Sequence, residues 1–323
     1  MAKQGVISLG EALINFLPLG EGENRWQQSP GGAVANVAAG VAKLGLPSTF
    51  IGKVGNDTFG KYLDQTLTSY NVDTTYMQWT TDAPTGIMFI QNDKGTQQSI
   101  SLNHHLYADQ FVVTDEKTAP LFTTHKIFHF SSRSMIQPSC RQTTYSAINQ
   151  AKQQNMLLSF APNLCTALWD SHEKACETVS SVLFDVDVLV VTKEEVFQLS
   201  GASAVTSGID FLQKEYQIPF IVVDLEKGGY LVAIENEYTT IAPIHVKAID
   251  STSANDAFVA AVLYQLHEIP KVITSLTIGE ASHITRFASF ASVLSASSKG
   301  AMTSLPSIER VKKYMDGTEF PVS

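Results

Sequence analysis

The chain has 323 residues, 44% apolar and 16% charged, which is enough to bury a sizeable core and excludes a disordered chain. With 22 basic against 31 acidic residues its net charge is −9, and no basic run exceeds Lys312-Lys313, which argues against nucleic acid or an anionic membrane as partner. Cys140, Cys165 and Cys176 are an odd number without C-x-x-C spacing, and no apolar run is long enough to span a bilayer, so a soluble chain in a reducing cytoplasm is expected.

Val6-Ile7-Ser8-Leu9 reads as a first buried strand that ends at Gly10-Glu11 and resumes as Ala12–Phe16. Polar groups at the C-terminal ends of sheet strands are where α/β proteins bind ligands, which singles out Asn15. Pro30-Gly31-Gly32 then opens a helix whose Ala35, Ala38, Ala39 and Ala42 form a slim packing face. On that helix Asn36 presents an amide that both donates and accepts, suited to reading a polyol. Asp57 has the position of a helix N-cap. Pro84–Ile90 and Gln98–Leu102, joined by Asn92-Asp93-Lys94-Gly95, predict a β-hairpin. His104-His105 reads as a surface or lid pair rather than a metal site, since neighbouring residues point in different directions.

From residue 126 onward, short apolar strands alternate with helices. Lys126–Ser131, Met156–Phe160, Val186–Val191 and Pro219–Asp224 are strand candidates. Ser139–Gln154, Trp169–Leu183, Glu194–Leu199 and Ser207–Tyr216 are helix candidates. That alternation predicts a mostly parallel sheet with helices on both faces in a single α/β domain over 1–323. Further on, Ala288–Ser298 reads as a small-residue helix with Gly300 as its C-cap, and Ser307–Met315 as a last surface helix.

The most informative stretch is Ile249-Asp250-Ser251-Thr252-Ser253-Ala254-Asn255-Asp256-Ala257-Phe258, a polar turn running into an apolar helix. Helix N-termini offer free N–H groups and partial positive charge, and small side chains leave room for a phosphate to reach them. Asp256 sits beside that anion site in the first helical turn. A carboxylate there suits the acceptance of a proton from a hydroxyl attacking phosphorus. An ordinary helix start capped by Ser251 or Ser253 is the alternative these residues leave open.

These stretches together resemble the ribokinase-like (PfkB-type) carbohydrate kinases, closest to the fructokinase group. Asp250–Phe258 resembles D-T-x-G-A-G-D-x-F, with Ser253 and Asn255 in place of both glycines. Gly31–Asn36 matches G-G-x-x-x-N, and Phe50–Gly60 keeps F-I-G-x-V-G-x-D-x-F-G intact. The resemblance implies a ribokinase-like fold with a small β lid from about 12–28 and 84–103. It implies ATP-dependent phosphoryl transfer to a primary sugar hydroxyl, with ATP, Mg2+ and a monovalent cation such as K+. Asp256 would be the base, the backbone of Ser253, Ala254 and Asn255 the anion hole, and Asn15, Gly32, Asn36, Lys53 and Asn103 the sugar site. Thr192, Asp224, Glu226 and Gly300 would flank the nucleotide, Glu195 would support magnesium through water, and Asp250 would help hold the monovalent cation. The open edges of lid strands also offer a surface for a homodimer.

Departures from the pattern fall in ligand-touching motifs. F-D-P-N-x-R-x-x-L-W has become Phe160-Ala161-Pro162-Asn163-Leu164-Cys165-Thr166-Ala167-Leu168-Trp169, losing an aspartate and an arginine. N-x-x-E has become Thr192–Glu195, V-T-L-G has become Val223–Glu226, and the usual lid arginine is absent near Asn103. Carboxylates at 224 and 226 would repel a polyphosphate. A kinase-fold protein with weakened or no catalysis, binding a sugar, a nucleotide or a partner, is therefore the second expectation, and a nucleoside kinase a third.

Overall fold

In a computed structural model the described residues are 3–19, 25–93, 96–101, 106–246 and 248–317. The first part of the chain gives Val6–Leu9 (β1), Leu13–Pro18 (β2), Trp26–Gly31 (β3), Ala33–Lys43 (α1), Ser48–Ile51 (β4), Lys53–Gly55 (β5) and Thr58–Ser69 (α2). Gln78–Thr80 (β6), Gly86–Asp93 (β7), Thr96–Ser101 (β8), Ala119–Thr124 (α3), Ile127–Phe130 (β9), Pro138–Gln153 (α4) and Leu157–Phe160 (β10) follow. His172–Ser180 (α5), Val188–Thr192 (β11), Lys193–Ser200 (α6), Val205–Tyr216 (α7), Phe220–Asp224 (β12), Tyr230–Ile234 (β13) and Glu237–Ile241 (β14) come next. Ala254–Glu268 (α8), Ile278–Ala296 (α9) and Ile308–Met315 (α10) close the chain.

The main sheet runs β14-β13-β12-β11-β10-β9-β1-β4. Its pairs from β12 to β4 are parallel, and β12–β13 and β13–β14 are antiparallel. The parallel strands are near-continuous apolar runs because helices cover both faces. Phe128, Phe130 and Phe160 form a stacked series under α4. On the opposite face α8 and α9 bury Phe258, Val262, Ile284 and Ala288 against Val188, Val190 and Val222. A second sheet, β3-β2-β7-β8, forms the lid, with β3 and β8 as its outer strands. Strand β1 has β9 on one side and β4 on the other, so the chain leaves it in both directions. Such a switch point opens a crevice at the C-terminal ends of the strands.

Three features depart from the sequence expectation. The β13–β14 hairpin was not anticipated, because its turn is Glu235-Asn236 at φ 51° and 85° rather than the glycine-bearing pair that usually marks such turns. Helix α9 starts ten residues earlier than Ala288, at Ile278, behind a capping box between Thr277 and Glu280. Gly300, at φ 103°, is not its C-cap: the helix ends at Ser297, and Gly300 lies in the turn beyond. Asp57 caps α2 as expected, its carboxylate accepting from the Gly60 N–H.

Helices α1 and α8 cross at unusually short range. A Cβ on Gly40 would lie 2.7 Å from the Ala260 Cβ, closer than real methyl contacts come. We expect Gly40→Ala to destabilise the chain by about 1–3 kcal/mol as the helices are wedged apart, read as a lowered denaturant midpoint at unchanged m-value.

Candidate active site

A cavity of about 250 Å³ opens at the C-terminal end of β1. That is small beside drug-binding pockets of about 300–1,000 Å³ and suits a monosaccharide. Glu11, Asn36 and Asp256 line it together with Ser131, Ser132 and Arg133 from the turn after β9 and Asn163, Cys165 and Trp169 from the segment after β10. The lid contributes Leu13, Asn15, Met88 and Ile90.

Asp256 is the base that the sequence pattern leads one to expect. It lies in the first turn of α8, 6% exposed, and its Oδ2 accepts a 2.7 Å bond from Asn36 Nδ2 on α1. Burial pushes its carboxyl up to about 7, opposed by the Asn36 bond and reinforced by the negative charge of Glu11. The opening N–H groups of a helix lack intrahelical acceptors. That of Ala254 turns back to the Ser251 carbonyl, while Asn255 and Asp256 line the cavity. A proton acceptor and a patch of positive backbone therefore share one helix end.

Ser253, in place of a glycine, is accommodated without a left-handed backbone: its φ is −117°. It stands at the N-cap position, but its hydroxyl makes no capping bond. The hydroxyl turns inward, 2.9 Å from both Ser295 Oγ and Ser304 Oγ and 3.0 Å from the Ala301 carbonyl. Asn255 does not adopt the left-handed conformation that a glycine replacement suggests; it is the second residue of α8, and its Nδ2 donates to Asn163 Oδ1. The chain thus keeps the helix start, with the Ser253 hydroxyl turned inward and the Asn255 amide held on Asn163.

The sugar-site expectations divide. Asn15, Gly32 and Asn36 line the cavity together with Asp256. Gly32 is required: at φ 102° a Cβ would meet the Glu11 carbonyl at 2.5 Å. Lys53 is not brought into the cavity; it opens β5, in register with Gln78. Asn103, like His104 and His105, lies outside the described residues.

Three of the nucleotide-side expectations, Thr192, Asp224 and Glu226, gather apart from the cavity at the ends of β11 and β12, and the fourth, Gly300, lies in the turn after α9. Thr192 pairs with Asp224 across the two strands. Thr192 and Glu195 form the capping box of α6, and Glu195 also accepts a 2.7 Å bond from the Leu164 N–H. Both carboxylate oxygens of Glu195 are thus engaged by the chain, and burial raises its pKa. Its visible work is to hold the 163–165 loop on α6. Asp224 accepts from the Glu226 N–H at 2.7 Å, and burial raises its pKa too. Glu226 is exposed and does not fill the cavity. It stands at φ 56°, which shows why a glycine suits this turn. Asp250 accepts from the Thr252 N–H and hydroxyl with one oxygen and from the Gly300 N–H, at 3.0 Å, with the other. It ties the turn before α8 to the turn after α9.

Sequence reasoning passed over Glu11, Arg133 and Asp109. Glu11 is 4% exposed, accepts from the Ser131 hydroxyl, and is held above the usual carboxylate range by burial. Arg133 lies directly after β9 and bonds Asp109 at 2.7 Å. The signal was available, since both cavity residues directly follow the C-terminal ends of parallel strands.

A mostly parallel sheet beneath a β lid, with a buried carboxylate at a helix N-terminus facing a monosaccharide-sized cavity, defines a ribokinase-like carbohydrate kinase. The chain belongs to the pfkB family of carbohydrate kinases, whose family model matches residues 3–308. It is 33% identical over 300 residues to a fructokinase of Klebsiella pneumoniae, covering 92% of this chain and 95% of that one. A fructokinase of Salmonella typhimurium is 32% identical over 300 residues, covering 92% and 95%. Among solved structures, a fructokinase of Vibrio cholerae O395 in a fructose-, ADP- and calcium-bound form has a TM-score of 0.86 at 29% identity, covering 96% of this chain and 98% of that one. A fructokinase of Xylella fastidiosa with bound ATP has a TM-score of 0.86 at 25% identity, covering 98% and 99%. Nothing in these findings favours the expectation of a catalytically silent binding protein.

Two stability predictions follow from the backbone and the buried acid. Glu226→Gly should stabilise the chain by about 0.5–1 kcal/mol by relieving its left-handed backbone, seen as a raised Tm. For Asp256 the folded chain holds a proton between about pH 4 and 7 that the unfolded chain releases, so stability from this group falls as pH rises through that window. Asp256→Asn should therefore melt higher than wild type at pH 8, by about 2–4 kcal/mol, and near it at pH 4. Equal melting at both pH values would contradict an acid kept protonated by burial.

Proposed function

We propose that the chain transfers the terminal phosphoryl group of ATP to a primary hydroxyl of a sugar, with fructose the first acceptor to test. The observation that carries this is the buried Asp256 carboxylate, bonded to Asn36 and set at the N-terminus of α8 against the cavity. Support comes from relatives named fructokinase and from the fructose- and ADP-bound form of the Vibrio cholerae structure.

In this reading Asn15 and Asn36 orient the sugar, and Asp256 takes the proton of the attacking hydroxyl. The hydroxyl oxygen bonds to phosphorus while the bond to the bridging oxygen breaks, and ADP leaves. The N–H groups at the start of α8 face the negative charge that develops on the transferred group. The lid excludes water that would otherwise take the phosphoryl group. Magnesium, when bound with the nucleotide, neutralises phosphate charge. Among the described residues no group of three or more His, Cys, Asp or Glu side chains forms a metal cage. Glu195, through water, and Asp250, toward a monovalent cation, keep the supporting roles proposed from their motifs.

Coupled ADP-release assays over neutral hexoses and pentoses test the reading. We expect sugar-dependent turnover with fructose, and Asp256→Asn to lower kcat by about 10²–10⁴-fold while leaving both KM values within a few fold. Because the base must be ionised, kcat/KM for the sugar should rise through about pH 7 and level off above it. Absence of sugar-dependent ADP release from the wild-type chain with every sugar would overturn the assignment.

A further inference from the structure

Arg133 is the one basic side chain lining the cavity among the described residues. It comes from the 3₁₀ turn Ser132–Met135, directly after β9, and faces Cys165 and Glu11 across the cavity wall. A guanidinium carries five N–H donors. The Nε donor is used on Asp109 Oδ2 at 2.7 Å, and that is the one bond the structure gives the group. Nη1 is buried with no partner in the chain. The side chain is nonetheless 11% exposed and lines the cavity, so the Nη2 end of the fork, which makes no bond in the chain, is the donor a ligand can reach.

Asp109 explains why the arginine is held there. It lies in the turn Ala108–Phe111, is 2% exposed, and grips the guanidinium from behind through a bond to Nε. Glu11 adds a second negative charge close enough to stabilise the guanidinium. The charged groups lining the cavity are Glu11, Arg133 and Asp256, and the positive one is already compensated by Asp109. No positive charge is left over for an incoming carboxylate or phosphate. A neutral ligand can still use the remaining N–H donors.

We propose that Arg133 is a sugar-specificity residue, donating to an oxygen of an uncharged acceptor sugar, and that Asp109 is the positioning residue that aims it. The proposal rests on the sugar-kinase reading and narrows it to neutral acceptors over sugar acids. It also supplies the cavity with a guanidinium from a different strand end than position 165, where Cys165 now stands.

The test compares wild type with Arg133→Met, Arg133→Lys and Asp109→Asn by sugar-saturation kinetics at fixed ATP, by ATP-saturation kinetics, and by calorimetric titration of fructose without nucleotide. Arg133→Met should raise the sugar KM at least tenfold with the ATP KM unchanged. Arg133→Lys, which keeps the charge but loses the planar fork, should recover only part of that loss. Asp109→Asn should shift the sugar KM in the same direction by a smaller factor. A 2-keto aldonic acid should show kcat/KM at least tenfold below that of fructose. A sugar KM within twofold of wild type in a folded Arg133→Met, or in Arg133→Lys if the methionine variant does not fold, would overturn the role. Equal use of the sugar acid would overturn the charge argument. If wild type turns over no sugar at all, the kinase reading fails; calorimetric fructose binding that is lost in Arg133→Met then still supports the Arg133 site, and binding that persists overturns it.

Discussion

The bond between Asn36 and Asp256 depends on how closely two helices approach. Asn36 and Gly40 are one turn apart on α1, and Asp256 and Ala260 are one turn apart on α8. Gly40 and Ala260 meet with no space for another methyl group, and Asn36 and Asp256 thereby come within hydrogen-bonding distance. Packing and chemistry are consecutive turns of the same interface. The small residues of α1 set this separation.

Burial then does the electrostatic work. A carboxylate in the open would be ionised well below neutrality and a weak proton acceptor. Enclosed beneath the lid and beside Glu11, Asp256 becomes a stronger base, and the Asn36 amide keeps it from being neutralised altogether. The same enclosure makes the folded chain less stable once the acid ionises, so function and stability pull in opposite directions at one atom. The acids near the nucleotide motifs show the same physics: Glu195 is satisfied by backbone N–H groups, and Asp224 is raised by burial.

Much of this architecture was legible in the residues. The apolar runs at β9 to β12 and the helices between them announced a parallel sheet, because strands buried on both faces leave little room for polar side chains. The glycines at 31 and 32 and the polar turn before α8 announced the two ends of the cavity. What escaped were features without a local signature. The β13–β14 hairpin turns on Glu235 and Asn236, which hold positive φ without the usual glycine. Arg133 and Asp109 are 24 positions apart in the chain, and only the fold joins them. Ser253 stands where the family pattern has a glycine, and sequence alone did not show that its backbone stays at negative φ and its hydroxyl points into the core. Lys53, by contrast, was flanked by an intact motif and still falls outside the cavity lining, since a motif records neighbours in the chain and the site depends on neighbours in space.

The cluster of Ser253, Ser295 and Ser304 behind the start of α8 has a consequence of its own. Three hydroxyl protons serve five close contacts, three among the oxygens themselves and two to the Ala301 carbonyl. Two of those contacts must lack a hydrogen at any instant, so the same heavy-atom framework admits several proton placements. The cluster therefore clamps α8, α9 and the Ala301 turn together while retaining orientational freedom of its hydrogens, a tether stiff in position and degenerate in polarity.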